Sequence, residues 1–220
     1  IEESETEDKD WINNWKEFFH QFYVDDILIV PSWEEVKEED KDKMILHIDP
    51  GTAFGTGMHE TTQLVIRQLK KYVTRGAEIL DVGTGSGILG ITALKLGAGH
   101  VVGTDLDPCA VSAVQDNKEA NQIEDDSFDM MIGNIIDDVE VQNEVGYERY
   151  DIVAANILAD VLVPLTPVIV HQMKKGAYYI TSGILDVKEE VVREAVEKAG
   201  LTLVEVTKQG EWVCVTARKD

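Results

Sequence analysis

The segment with the clearest capacity for chemistry is Asp81-Val82-Gly83-Thr84-Gly85-Ser86-Gly87, which follows a short apolar run and precedes a helical one. Glycines at such a strand-to-helix turn let the backbone approach a ligand closely and adopt angles that a β-carbon excludes. The pattern therefore predicts a nucleotide-like ligand, held by backbone groups around Gly83 and Gly85.

Two ligand classes fit these glycines. Gly85, Gly87 and Gly90 match the spacing of the dinucleotide-binding motif GxGxxG. Asp105 follows them at about the separation in sequence that is expected for a residue that contacts the ribose. This interpretation predicts an NAD-dependent dehydrogenase. In the register set by the strand, however, the pattern is DxGxGxG, which is typical of methyltransferases. In that register Gly90 would lie inside the helix rather than at its close-packed start. The spacing thus favours a methyl donor, with the dehydrogenase as the alternative.

Polar residues follow the next two predicted strands. Asp105 ends the second strand, where its carboxylate can accept hydrogen bonds from both ribose hydroxyls of an adenosine. Asp107, just before Pro108, is expected to cap the next helix. Asn134 follows the third strand, where an amide oxygen can accept a hydrogen bond from the adenine amino group. A turn-forming role is the alternative for this asparagine.

Asn156 ends the fourth predicted strand, after the apolar run Ile152-Val153-Ala154-Ala155. A polar side chain at the carboxyl edge of a parallel sheet lies where ligands bind. Asn156 is therefore the candidate catalytic residue, expected to hold the nucleophile, and helix capping is its alternative role.

A loop rich in glycine and hydroxyl groups, residues 49–62, precedes a helix predicted from about Thr61 to Lys71. Such a loop can fold over a ligand and offer backbone amides and a hydroxyl at the helix start. His59-Glu60 matches the start of the zinc-protease motif HExxH, but Gln63 stands where the motif requires histidine, so no metal site is predicted. For His59 three roles stay open: a base, a substrate contact or a structural residue.

The rest of the sequence supplies strands and helices that would position these residues. Strands are predicted at Glu78–Val82, Val101–Thr104, Phe128–Ile132, Asp151–Ala155, Ala177–Thr181, Leu201–Thr207 and Trp212–Ala217. Helices are predicted at Ile88–Leu96, Pro108–Asn121, Leu158–Lys174 and Val187–Ala199. This alternation indicates an α/β fold with a doubly wound, mostly parallel, seven-stranded sheet. The turn at Gly210 indicates an antiparallel carboxy-terminal hairpin.

Charge and composition indicate which classes of partner the chain can bind. The chain has 220 residues and a formal net charge of -22, which argues against nucleic acid and favours a basic protein partner. No apolar run approaches the roughly 20 residues that span a bilayer, so a cytoplasmic protein without membrane contact is expected. The two distant cysteines, Cys109 and Cys214, form no metal-binding or disulfide pattern. Nothing in the sequence indicates an oligomeric state.

The amino-terminal residues differ from the rest. Residues 1–43 are predicted to form a linker helix and a strand, Ile27–Val30, and residues 44–220 the main domain. Aromatic residues at three- and four-residue spacing are expected to lie on one side of the linker helix and to pack against that domain: Trp11, Trp15, Phe18, Phe19 and Phe22. The chain begins at Ile1 without a methionine, which predicts that an upstream domain is missing.

Nearly the whole chain resembles one family, the PrmA-type enzymes that methylate a protein of the large ribosomal subunit. The loop up to Thr62 and the Asn-Ile-Leu-Ala step are specific to that family, whereas the glycine segment is general to methyltransferases. The resemblance is carried by Asp10-Trp11-Ile12-Asn13-Asn14-Trp15, Ile29-Val30-Pro31-Ser32-Trp33, the Ala53-to-Thr62 loop, the glycine segment and Asn156-Ile157-Leu158-Ala159.

The resemblance implies a Rossmann-like class I methyltransferase fold, with S-adenosylmethionine as donor and S-adenosylhomocysteine as product. It implies methylation of amino groups, on a lysine side chain or the amino terminus, of a large-subunit ribosomal protein. In that family an amino-terminal domain recognises the substrate, and because this sequence lacks it, an inactive donor-binding fragment is a further alternative. The acidic stretch from Asn134 to Tyr150 is longer than the usual connection. Donor contacts are implied at Thr62, Gly83, Asp105 and Asn156.

Overall fold

A computed structural model describes residues 20–49 and 58–220. The strands are β1 Phe22–Val24, β2 Ile27–Val30, β3 Met44–His47, β4 Glu78–Val82, β5 His100–Asp105, β6 Phe128–Ile132, β7 Tyr150–Asn156, β8 Met173–Leu185, β9 Leu201–Gln209 and β10 Trp212–Lys219. The helices are α1 Glu60–Tyr72, α2 Ile88–Lys95, α3 Cys109–Ala120, α4 Val139–Val145, α5 Ala159–Ile169 and α6 Glu189–Lys198. Within these described residues, no helix combines the length and apolar character that crossing a bilayer requires.

The main sheet has seven strands in the order β6-β5-β4-β7-β8-β10-β9. The five strands from β6 to β8 are parallel, and β10 runs antiparallel to both β8 and β9. This arrangement confirms the predicted α/β fold with its mostly parallel sheet and antiparallel carboxy-terminal hairpin. Because the chain leaves β4 for β5 on one side and β7 lies on the other, the strand order reverses at β4. Open α/β sheets bind ligands outside the carboxyl ends of the strands at such a point.

The central strands are buried on both faces, because helices cover the sheet on either side. Alternate residues of one strand belong to separate core clusters: Ile79 packs with α1 and α2, and Leu80 packs with α5 and α6. Strands that are covered on both faces appear in the sequence as near-continuous apolar runs, and this is why their positions were predictable. The observed β4 and β6 coincide with the predicted strands Glu78–Val82 and Phe128–Ile132.

One predicted helix ends at the wrong residue and one observed helix was not predicted, and both errors lie outside the central strands. The helix predicted at Leu158–Lys174 ends at Ile169, because the chain turns there and begins β8 at Met173. The Lys219 ammonium donates to the carbonyls of Val170 and Met173, both at 2.9 Å, and so caps the helix end from the last strand. The residues near Ile169 in the sequence do not indicate that Lys219 caps the helix, so this end could not be predicted.

The second error is the helix α4, which occupies the acidic stretch where no helix is predicted. Asp138 begins it, with its carboxylate accepting hydrogen bonds from the N–H groups of Glu140 and Val141. Gly146 ends it at a φ of +94°. The helix is seven residues long and buries only Val141 and Val145, so its apolar periodicity was too short to recognise.

The amino-terminal strands form a second sheet, in the order β1-β2-β3, with β2 and β3 parallel. Because β3 begins at Met44, this sheet spans the predicted boundary between residues 43 and 44, and the division there stays a prediction. Phe22 lies in β1 rather than on the predicted aromatic helix, because it pairs with Ile29 of β2. Four other members of that aromatic stripe lie outside the described residues: Trp11, Trp15, Phe18 and Phe19.

Candidate active site

A cavity of about 600 Å³ opens at the carboxyl edge of the main sheet, around the ends of β4, β5 and β7. Its volume lies within the range of roughly 300 to 1,000 Å³ that small-molecule sites occupy. Most of the lining is apolar side chains and glycine backbone. The polar and aromatic residues in the lining are His59, Thr61, Thr104, Asp105, Asp107, Asn134, Asn156 and Trp212.

The turn between β4 and α2, residues 83–87, is the glycine turn and forms the floor of this cavity. Gly83 has a φ of +74°, and a β-carbon placed there would lie 2.5 Å from the Ile157 Cγ2 atom. Gly87 has a φ of +80° and begins α2. A side chain at Gly83 would therefore both strain the backbone and collide with the segment after β7, as the sequence pattern implies.

Gly90 does not separate the two ligand classes in the way that the spacing suggests. It is the third residue of α2, and a β-carbon there would lie 2.5 Å from the Phe128 ring and 2.9 Å from the Val101 Cγ1 atom. Gly90 thus lies inside the helix, as expected, but it is also where the helix packs closely on the sheet. The choice between a methyl donor and a dinucleotide must come from other features.

Asp105 ends β5 beside the turn, and both of its carboxylate oxygens are held by backbone. Oδ2 accepts a hydrogen bond from the Gly85 N–H at 2.8 Å, and Oδ1 accepts one from the Asp107 N–H at 2.9 Å. Asp107 in turn accepts from the Cys109 N–H at 2.9 Å, which confirms its predicted role as a helix cap. The fixed Asp105 carboxylate lines the cavity and retains lone pairs for a ligand's hydroxyl groups.

Thr62 and Asn156, which are distant in the sequence, meet at the opposite side of the turn. The Asn156 Nδ2 donates a hydrogen bond to the Thr62 Oγ1 at 3.1 Å. Thr62 is buried at the start of α1, and Asn156 is partly exposed at the end of β7. This contact uses one donor of the amide and fixes its orientation. Asn156 lines the cavity, and its Oδ1 keeps lone pairs that can accept a hydrogen bond.

An aromatic pair borders the same side of the cavity. The His59 and Trp212 rings meet edge to face, with centroids 4.8 Å apart. His59 also caps α1, because its Nδ1 accepts from the Thr61 N–H at 3.3 Å. Of its three possible roles, the structural one therefore has direct support. Trp212 was not among the predicted site residues, although it begins an antiparallel strand and so lies at the edge where the parallel strands end.

Asn134 lies where the third parallel strand leaves the sheet and also lines the cavity. Its Oδ1 accepts from the Ile136 N–H at 3.0 Å, and its Nδ2 donates to the Asp137 carboxylate at 3.0 Å. These contacts are those of a turn-forming asparagine. Contact of Asn134 with an adenine stays a prediction.

In residues 20–49 and 58–220, no three His, Cys, Asp or Glu side chains are grouped so that they could hold a metal ion.

Asp81 lies directly beneath the glycine turn and is completely buried. Its Oδ2 accepts a hydrogen bond from the Gly90 N–H at 3.2 Å, whereas Oδ1 has no partner among the described residues. Burial and, to a smaller extent, the nearby charge of Asp105 raise the pKa of this carboxyl to about 7, against the lowering effect of the Gly90 N–H. The folded protein therefore holds a proton here that the unfolded chain releases at lower pH.

This proton predicts a pH-dependent stability difference between the wild type and Asp81→Asn. Because the folded pKa lies above the unfolded one, the wild type loses stability as the pH rises from about 4 to about 7. The variant cannot ionise and escapes this loss, so its advantage in the free energy of unfolding should grow by about 2.5 kcal/mol between pH 5 and pH 8. Urea unfolding at both pH values measures the difference. A difference that does not change with pH would refute the assignment.

Comparisons with known proteins agree with this geometry. The model of the family described as "Ribosomal protein L11 methyltransferase (PrmA)" matches residues 1–220. A ribosomal protein L11 methyltransferase of Agathobacter rectalis is 57% identical over 222 residues, covering 100% of this chain and 69% of that protein. One from Lachnospira eligens is 58% identical over 220 residues, with the same coverage of both chains.

A solved structure is also similar. The ribosomal protein L11 methylase of Lactobacillus delbrueckii subsp. bulgaricus superposes with a TM-score of 0.81 at 31% identity, covering 92% of this chain and 100% of that one. The similarity therefore includes nearly all of the present chain, and the curated relatives extend beyond it.

Proposed function

Because the chain belongs to the PrmA family of ribosomal protein L11 methyltransferases, which use S-adenosylmethionine, we propose that it methylates amino groups of ribosomal protein L11. The acceptors would be a lysine side chain, the amino terminus or both. The observation that carries this proposal is the pairing of Asn156 with Thr62 at 3.1 Å, which presents a neutral amide oxygen at the cavity. Membership of this family decides against the dehydrogenase alternative.

The lining of the cavity fits the donor. Among the described residues that line it, the carboxylates are those of Asp105 and Asp107, and none is a lysine or an arginine. A cationic sulfonium compound is attracted by such a site. We assign the ribose contact to Asp105, the backbone contacts to Gly83 and Gly85, and the adenine contact to Asn134. When bound, S-adenosylmethionine supplies an activated methyl group.

The acceptor amine must be neutral before it can act as a nucleophile. A lysine ammonium with a pKa near 10.4 costs about 4 to 5 kcal/mol to deprotonate at pH 7, whereas an amino terminus with a pKa near 7.8 costs about 1 kcal/mol. A carboxylate at the point of attack would stabilise the ammonium and increase this cost. The Asn156 Oδ1 can accept a hydrogen bond from the amine without that penalty, and so orient its lone pair.

The acidity of the chain favours a basic substrate from outside the cavity. A formal net charge of -22 attracts a cationic protein over a screening length of about 8 Å at physiological ionic strength. The attraction should accelerate association without placing a carboxylate at the reacting nitrogen. Attraction of the basic substrate is thus assigned to the charge of the whole chain, and positioning of its amine to the neutral side chain of Asn156.

The test is mass spectrometry of ribosomal protein L11 incubated with this chain and S-adenosylmethionine. We expect methyl additions on lysine or amino-terminal peptides, and none on L11 whose amines have been acetylated beforehand. The Asn156→Ala variant serves as the enzyme control. Unmodified L11, from a chain that binds S-adenosylhomocysteine, would instead favour a donor-binding fragment. Methyl groups found only on other side chains would refute the assignment of amine acceptors.

A further inference from the structure

Two buried asparagines one helical turn apart, Asn117 on α3 and Asn121 at its carboxyl end, pair with the outer edge of β3 and the residues that follow it. The Asn117 amide accepts a hydrogen bond from the Asp49 N–H at 2.8 Å and donates one to the Asp49 carbonyl at 3.1 Å. The Asn121 amide makes the same two contacts with His47, at 2.9 and 2.5 Å. The two side chains thus take the place of a further strand and satisfy backbone groups at the sheet edge.

Of this pair, Asn117 also reaches the glycine turn. Its Nδ2 donates to the Ser86 carbonyl at 2.9 Å, whereas the Asn121 Nδ2 donates to the Asn117 carbonyl at 2.7 Å, within their own helix. Ser86 is completely buried and lies between two turn glycines with positive φ, Gly85 at +55° and Gly87 at +80°. One buried amide therefore joins the β3 edge of the three-stranded sheet β1-β2-β3, hereafter the small sheet, to the floor of the cavity.

We propose that Asn117 is a positioning residue for the methyl donor, which sets the conformation of the glycine turn from outside the cavity. Asn117 is not among the residues that line the cavity, so its effect on the donor must pass through the Ser86 carbonyl. A turn with several glycines has little stiffness of its own, because glycine has access to many backbone angles.

Hydrogen bonds from outside the turn must therefore select the binding conformation. The Asp105 carboxylate holds the turn at the Gly85 N–H, and Asn117 holds it at the Ser86 carbonyl. With both contacts in place, the backbone that faces the donor is ordered before binding, and less conformational entropy is lost when the donor arrives. The inference rests on donor binding and does not depend on the acceptor amine.

Asn117→Ala and Asn121→Ala form a matched pair for the test. Each removes a buried amide that pairs with the edge of the small sheet, but only Asn117→Ala removes the hydrogen bond to the turn. Calorimetric titration with S-adenosylhomocysteine should give a Kd at least about tenfold higher for Asn117→Ala, and within about twofold of wild type for Asn121→Ala. Urea unfolding should show that both variants lose stability. Equal Kd changes in the two variants, or an unchanged Kd in Asn117→Ala, would overturn the proposal.

The wild-type protein offers a second test that needs no variant to fold. The Asp49 N–H donates to Asn117, and the His47 N–H, two residues away on the same edge, donates to Asn121. If Asn117 couples the turn to Asp49, a donor bound against the turn also stabilises the hydrogen bond between Asn117 and Asp49. Saturation with S-adenosylhomocysteine should then slow hydrogen exchange more at the Asp49 amide than at the His47 amide. Equal protection of the two amides, or no change at either, would contradict the proposed connection.

Discussion

Replacing Asp105 by alanine is expected to raise the Kd for S-adenosylhomocysteine by at least about 100-fold. Hydrogen bonds to a charged group contribute about 1.5 to 3 kcal/mol each, and the carboxylate can accept one from each ribose hydroxyl. Loss of both corresponds to at least about 3 kcal/mol, or two orders of magnitude in affinity. The substitution also frees the Gly85 N–H, now held at 2.8 Å, so the turn loses part of its order.

The matched control for this prediction is Asp107→Ala. Asp107 also lines the cavity, but its carboxylate accepts from the Cys109 N–H at 2.9 Å and caps α3. Its loss should lower the free energy of unfolding by about 1 kcal/mol and change the Kd far less than the loss of Asp105. Titration calorimetry on both variants measures the contrast. If Asp107→Ala weakened binding as strongly as Asp105→Ala, the ribose contact would have been assigned to the wrong carboxylate.

Residues that end parallel strands were the part of the site that the sequence could place. Gly83, Asp105 and Asn156 each follow a recognisable apolar run, and parallel strands bring their carboxyl ends to one edge. Their proximity therefore follows from local patterns together with one topological rule. The same reasoning located the antiparallel hairpin, because the turn at Gly210 is short.

Features that depend on distant parts of the chain could not be placed in this way. Trp212 lines the cavity because an antiparallel strand returns to the edge where the others end, and the sheet order alone determines that. Lys219 caps α5 from the last strand, and Asn117 links Asp49, after β3, to Ser86 of the glycine turn through a single side chain. Each of these is an isolated polar or aromatic residue whose partner is set by tertiary packing. Periodicity and spacing carry no information about such partners.

Replacing Asn156 by alanine is expected to lower kcat for methylation of ribosomal protein L11 by about 100-fold, the magnitude that misplacement of a reacting group produces. The fold should tolerate the change, because the side chain is partly exposed and loses one hydrogen bond, to Thr62, which contributes about 1 kcal/mol. Initial rates at saturating S-adenosylmethionine and L11, read by mass spectrometry, measure the effect. The Thr62→Val variant keeps Asn156 but removes the acceptor that orients it, so a smaller loss of kcat is expected.

The isosteric change Asn156→Asp distinguishes positioning by a neutral acceptor from proton removal by a base. A carboxylate in contact with the amine stabilises the ammonium, so it raises the pKa of the acceptor and depletes the neutral form at pH 7. The variant enzyme would then be slower than wild type at neutral pH, and its rate should continue to rise at pH values where the wild-type rate has levelled off. Rate profiles of both enzymes with the same L11 substrate measure this shift. A variant faster than wild type at pH 7 would mean that a base is useful at this position, and the neutral amide would then not be the feature that favours methyl transfer.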